Sequence, residues 1–465
     1  MIVATLLMAL ATAAATGEPL ARSPIAARDL EKFTPDVASY FAALDTEATD
    51  KDALARKQKA LESLEKNLLA AAKKAKTEQP LKYLADWDVV FEAAKPENKA
   101  LKNQLGKGFV RHDFTDVWTE RSVACLISMP ATYAKAESPL PVIVALKPVL
   151  SLSGEALEHK VAEMATAAYG SLLETHIVLV PLGPAIKNNK TAESAEVEGT
   201  WFTEGGQVTF FTALRVLLEQ VRFDRSRLFL DGWGDSGLDA VRLASSFPSW
   251  FGGVINRSGE TGGPDVLYEN LTGIPVLYID GKTEARGADL EALKARTDLH
   301  SEISVLSEPG SALAPSADVS KGLADWLGKS RKDLAPAVIH YRFGNLNYQA
   351  VHWLRATDTR VRVNAKPSDK DFPRIEAHVD KGGNKITLET VNVPSLYVFL
   401  NDAIVDLDKE IVIEVNGKQM FKGKVKRSLA YLLENRYRGN SGDYGLYVGE
   451  RLLSEIDLNV PAKTP

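Results

Sequence analysis

The run Gly232-Trp233-Gly234-Asp235-Ser236-Gly237 places a hydroxyl and an acid side by side among small residues. Ser236 is therefore a candidate nucleophile, with Asp235 as its neighbour. A serine hydroxyl attacks a carbonyl only when a base takes its proton, and the usual base is histidine. The seven histidines (His112, His159, His176, His300, His340, His352 and His378) are scattered. They show no H-x-x-x-H spacing and no cysteine partner, so no metal site and no cofactor are expected. The single cysteine, Cys125, falls in the apolar run Val123-Ala-Cys-Leu-Ile127 and reads as a buried, inert thiol.

The surroundings of that run carry more than its residue types. Arg227-Leu-Phe-Leu-Asp-Gly reads as a strand, and Leu238-Asp-Ala-Val-Arg-Leu-Ala re-enters as a helix. This layout resembles the nucleophile elbow of the α/β-hydrolase fold, where a sharp strand-to-helix turn lifts a nucleophile above the sheet. Ser128-Met-Pro-Ala-Thr-Tyr followed by Pro139-Leu-Pro-Val-Ile-Val-Ala-Leu is similar to the strands that precede the oxyanion loop in secreted esterase- and peptidase-like members of that superfamily, such as the prolyl-oligopeptidase- and dienelactone-hydrolase-like proteins. Asp280-Gly-Lys-Thr-Glu284 resembles their H-G-x-x-D segment, which makes Glu284 the implied triad acid. The resemblance spans roughly residues 108 to 332. Gly234-Asp-Ser-Gly also matches the nucleophile motif of trypsin-like proteases, but those are all-β double barrels, and here the motif lies between a buried strand and a helix.

Position by position, the resemblance implies a fold whose chemistry has gone. The elbow needs small residues two before and two after its tip. With Asp235 as the tip, Trp233 stands two before, and with Ser236 as the tip, Leu238 stands two after. Only Gly234 has small residues on both sides, Gly232 and Ser236, and glycine has no side chain to attack with. The triad histidine is expected after the last strand, near Ile303-Ser-Val-Leu-Ser, yet none occurs between His300 and His340. The oxyanion loop reads Lys147-Pro148-Val149-Leu150, in which Pro148 lacks an N–H. The expectation is an inactive hydrolase-like protein that binds an unidentified small molecule or protein partner. Its former cleft would be lined by Lys147, Trp233, Gly234, Asp235 and Ser236, with Glu284 near by. The alternative is an active serine esterase or peptidase that uses Ser236 with His300 or His340.

These residues need a scaffold, and the patterning supplies one. Residues 28–105 read as helices, with Thr34 capping a helix that has Pro35 in its first turn, and with an apolar stripe Leu54, Leu61, Leu64, Leu68. Across residues 108–332, short Val/Ile/Leu runs alternate with amphipathic stretches such as Phe211–Val221. That predicts a doubly wound, mostly parallel sheet. Residues 336–460 alternate as strands do, including 361–365, 374–379, 385–391 and 411–415, with an Asn416-Gly417 hairpin turn and one helix near Ser428–Arg436. The predicted fold class is thus α/β, an α/β-hydrolase-like sheet with an N-terminal helical region and a C-terminal β-sandwich-like domain. The aromatic residues around Tyr348 and Trp353 are expected in the core of that domain.

The 465 residues carry 56 basic and 61 acidic side chains, net −5, which leaves no basic excess for phosphate backbones and argues against nucleic-acid binding. The opening Met1-Ile-Val-Ala-Thr-Leu-Leu-Met-Ala-Leu-Ala-Thr-Ala-Ala-Ala is too short for a comfortable membrane span and ends in small residues, as a signal peptide does. Residues 1–17 are thus expected to direct export. The mature chain is expected to be secreted or periplasmic, with no transmembrane anchor.

Overall fold

The structure is a computed structural model that describes residues 22–47, 50–95, 98–115, 122–136, 138–183, 201–263, 266–280, 284–295, 301–308, 310–344, 349–360, 372–439 and 445–456. The chain divides into two compact units, one formed by the described residues of 97–333 and the other by the described residues of 17–96 and 334–465.

The first unit is built on eight strands: β1 (Phe109–Thr115), β2 (Ser122–Ser128), β3 (Leu140–Leu146), β4 (Ile177–Pro181), β5 (Phe223–Trp233), β6 (Gly253–Arg257), β7 (Val276–Asp280) and β8 (Ile303–Ser307). They form one sheet in the order β1-β2-β4-β3-β5-β6-β7-β8. β1, β2 and β4 pair antiparallel in succession, and all strands from β4 across to β8 run parallel. Parallel strands need both faces covered, and the sequence provides for this with near-continuous apolar runs. On β3, Val142, Val144 and Leu146 enter one core and Ile143 and Ala145 the other. The first core also takes residues of the helices Glu204–Gln220 and Ser236–Ser246, among them Phe210, Leu214, Leu238 and Val241. The second takes Val161, Ala165 and Tyr169 from Gly154–Tyr169 and Val319, Leu323 and Trp326 from Ala317–Lys329. Cys125 is fully buried on β2, and burial pushes its thiol far above the ordinary range.

The second unit joins the two ends of the chain. Helices α1 (Thr34–Asp45), α2 (Ala53–Ala75) and α3 (Leu84–Ala94) share one core with two sheets, a four-stranded and a five-stranded one. Val37, Tyr40, Leu64, Leu68, Trp87 and Phe91 of the helices pack with Ile375, Leu388, Val398 and Phe399 of the strands. Trp353 lies in the same core, whereas Tyr348 is outside the described residues. Helix Leu429–Arg438 ties in through Tyr40 Oη, which donates to Glu434 Oε1 at 3.1 Å, and through Arg436, which donates to Glu92 Oε1 at 3.0 Å. The hairpin forms at Asn416 (φ 51°) and Gly417 (φ 79°), between Ile411–Val415 and Lys418–Gly423. One local expectation is corrected: Thr34 is the first residue of α1 and not its cap, because a 3-10 turn, Glu31–Phe33, runs straight into the helix. The expected strand at 361–365 lies outside the described residues.

Candidate functional site

The site is built where β5 ends. Helix α6 (Ser236–Ser246, with α4 now Gly154–Tyr169 and α5 Glu204–Gln220) begins three residues after Trp233, so the chain reverses within Gly234 and Asp235. Gly234 is the tip, at φ +55°, a conformation that L side chains rarely adopt. Gly232 is required for a different reason, since a Cβ there would come 2.1 Å from the main-chain oxygen of Ser236 and 2.7 Å from Cα of Gly237. The turn is held by Gly237 N–H donating to Gly234 O at 2.9 Å and by Gly234 N–H donating across to Arg257 O at 2.8 Å.

The side chains around this turn are committed to one another. Ser236 is 3% exposed, and its hydroxyl donates to the main-chain oxygen of Lys147 at 2.8 Å. The buried Trp201 bridges the same two segments: its indole N–H donates to Lys147 O at 3.0 Å, and its main-chain N–H donates to Asp239 Oδ2 on α6 at 2.8 Å. Burial raises the Asp239 carboxyl, and the hydrogen bond from Trp201 opposes that. A hydroxyl that donates to an amide carbonyl is not activated, because that oxygen cannot take the proton away. Lys147 itself is 8% exposed, and among the described residues its Nζ makes one long contact, 3.5 Å to Pro148 O. Its Nζ lies against Gly183, where a Cβ would approach it to 3.2 Å. Burial alone lowers its pKa.

Beneath the turn lies a group that residue patterning missed. Asp231, Arg257 and Tyr169 are all buried. Asp231 accepts from Arg257 Nε at 2.9 Å and from Tyr169 Oη at 3.0 Å. Arg257 also donates to Ala312 O at 3.0 Å and stacks over the Tyr169 ring, with Cζ 5.3 Å from its centroid. Burial pushes the Asp231 carboxyl up while Arg257, Tyr169 and Trp233 pull it back. The available signal was Asp231, a charge inside the run Arg227-Leu-Phe-Leu-Asp-Gly read as a strand, since buried charges are paired; its partner Arg257 lies in β6, which patterning did not pick out.

Of the expected site residues, Lys147, Trp233, Gly234 and Ser236 come together at the ends of β3 and β5, with Trp233 fully buried and its ring 6.0 Å from that of Tyr169. Asp235 is beside them and exposed. Glu284 opens the helix Glu284–Lys294, and its side chain lies outside the described residues, as does all of His300. His340 lies on Val338–Arg342 in the other unit, with Nδ1 3.3 Å from Glu376 Oε2. Among the described residues no histidine nitrogen is a partner of Ser236 Oγ, which is bonded to Lys147 O. Three carboxylates, Asp402, Asp406 and Asp408, gather in the second unit, but Arg427 pairs with Asp402 and Asp408, Lys409 with Asp406 and Lys82 with Asp408.

The strand order, the parallel run from β4 to β8, helices on both faces and a tight turn from β5 into α6 decide the architecture. The first unit has an α/β-hydrolase fold. No family model matches the sequence, and no curated protein matches it. Among solved structures the chain is similar to a thermostable esterase, at 13% identity over 49% of this chain and 64% of that one, with a TM-score of 0.38. It is also similar to a putative dienelactone hydrolase from Klebsiella pneumoniae, at 14% identity over 48% of this chain and 99% of that one, TM-score 0.34. An S-formylglutathione hydrolase from Agrobacterium tumefaciens is similar at 13% identity over 48% of this chain and 96% of that one, TM-score 0.36. Within this α/β-hydrolase fold, the elbow tip is Gly234 and the loop after β3 presents a carbonyl, that of Lys147, toward Ser236. Among the described residues no helix is long and apolar enough to cross a membrane.

Proposed function

We propose that this protein keeps the α/β-hydrolase fold without serine hydrolysis and uses the C-terminal edge of the sheet around Lys147 and Gly234 to hold a small molecule or a protein partner. The observation that carries the reading is the tip itself: Gly234 occupies the position from which the elbow presents its nucleophile, and it has no side chain. The binding of Ser236 Oγ to an amide oxygen supports it, because that hydroxyl is already used in holding the turn. Export to a secreted or periplasmic location belongs to the same proposal and rests on the apolar opening with its small residues.

Intact-mass measurement after incubation with a fluorophosphonate, beside Ser236→Ala, tests the catalytic half. The expected result is no stoichiometric adduct and no turnover of simple aryl esters. A one-to-one adduct that is lost in Ser236→Ala would establish an activated serine and overturn the reading in favour of an esterase or peptidase. N-terminal sequencing of protein recovered outside the cytoplasm tests the export half, with cleavage near residue 17 expected and an intact N-terminus overturning it.

A further inference from the structure

A lysine at the edge of a parallel sheet normally points to water or meets a carboxylate. Lys147 does neither. It is 8% exposed, it has no ion pair among the described residues, and its Nζ reaches only the main-chain oxygen of its own neighbour, at 3.5 Å. Holding an ammonium in that state is costly, because a buried charge keeps its proton only when an anion or several acceptors replace the lost water. The root of the side chain is by contrast held hard. The Lys147 carbonyl accepts both the Ser236 hydroxyl, at 2.8 Å, and the Trp201 indole N–H, at 3.0 Å. The tip is bounded by Gly183, where any larger residue would crowd Nζ. The result is a fixed stem with an amine that no carboxylate among the described residues neutralises, at the strand ends where open α/β sheets receive ligands.

We propose that Lys147 is a reactive amine that condenses with small aldehydes to form an imine at the C-terminal ends of β3 and β4. In the step, the neutral Nζ attacks the aldehyde carbon, the C=O π bond opens, and a proton passes from nitrogen to oxygen to give a carbinolamine. Loss of the hydroxyl with the second nitrogen proton releases one water and leaves C=N. No oxidant or reductant is needed. Desolvation supplies the chemical advantage: each unit by which an amine's pKa falls raises its neutral fraction at pH 7 about tenfold, and burial lowers that of Lys147. The proposal does not depend on whether Ser236 hydrolyses anything, since the amine and the serine are probed by different reagents.

The test is borohydride trapping on the full chain at pH 7, with propanal in one arm and glyoxylate in the other, read by peptide mapping of every lysine. Reduction converts the imine to a stable secondary amine whose position is then sequenced. The expected result is that Lys147 is modified faster than every exposed lysine, in either arm. Preference for glyoxylate would add recognition of the carboxylate to the proposal. Preference for propanal would assign an apolar carbonyl compound. Modification of Lys147 at or below the rate of the exposed lysines in both arms overturns it. Mapping on the unaltered chain makes the decision independent of any variant. Lys147→Arg, with its circular dichroism checked, is expected to lose the adduct while the other lysines keep theirs.

Discussion

The Ser236 hydroxyl donates to the main-chain oxygen of Lys147 at 2.8 Å, so the elbow helix and the loop after β3 are joined by the candidate nucleophile itself. Ser236→Ala removes that donor but leaves Trp201 on the same oxygen. The net loss for one buried hydrogen bond is about 1 kcal/mol, read as a lower urea midpoint with an unchanged slope. A loss near zero would mean that the bond contributes nothing to the join.

Two glycines of the turn differ in why they are glycines, and the difference is measurable. Gly232→Ala puts a Cβ 2.1 Å from Ser236 O, with backbone on both sides and nothing flexible to move. A cost of about 3 kcal/mol is expected, the upper end for overpacking. At Gly234 the nearest atom to an added Cβ is Pro148 Cβ, 3.9 Å away, so the penalty is only that of φ +55°, about 1 kcal/mol. Chemical denaturation of both variants should therefore rank Gly232→Ala well below Gly234→Ala. The reverse order would place the tip elsewhere.

The buried pair Asp231–Arg257 predicts non-additivity. Asp231→Leu alone strands the guanidinium of Arg257, which is 0% exposed, and should cost about 3–5 kcal/mol. Combining it with Arg257→Met removes the stranded charge, so the double variant should be more stable than the single one. If the double variant is instead the weaker, the hydrogen bond from Arg257 to Ala312 O and its stacking over the Tyr169 ring matter more than the charge balance.

His176, at the start of β4, gives the stability a pH dependence. Burial, with the charge of Arg227 behind it, lowers its pKa from 6.5 to about 4, while the hydrogen bond with Leu172 opposes the shift. The folded chain thus keeps the ring neutral where the unfolded chain takes up a proton. The contribution is fully present above about pH 6.5 and is lost as pH falls toward about 4, at most about 3 kcal/mol. Urea midpoints at pH 7.5 and 5 should differ more for the unaltered chain than for His176→Gln. Equal differences would exclude His176 as the source.

Much of this was legible in the residues. Val/Ile/Leu runs such as 142–146 and 177–180 require a sheet covered on both faces, because no other arrangement hides such strands. The rule of small residues about the tip singled out Gly234, since steric exclusion at a tight turn is written in residue size. Asn416-Gly417 declared its hairpin in the same way, by its tolerance of positive φ. These are local constraints, and local constraints survive in one dimension.

Other relationships joined segments that sequence distance keeps apart. Helices α1 to α3 share a core with strands some three hundred residues later, and an apolar stripe states only that it must be covered, not by what. Tyr169, Asp231, Arg257 and Ala312 meet beneath the elbow from four separate segments. The position of Lys147 is of the same kind. A lysine after a strand reads as a solvated charge, and only the tertiary structure, with Trp201 and Ser236 on its carbonyl and Gly183 beside its Nζ, shows the side chain buried and without a carboxylate partner among the described residues. Burial is a property of what the rest of the chain brings near, which is why tertiary structure alone decided which charge at this edge is buried.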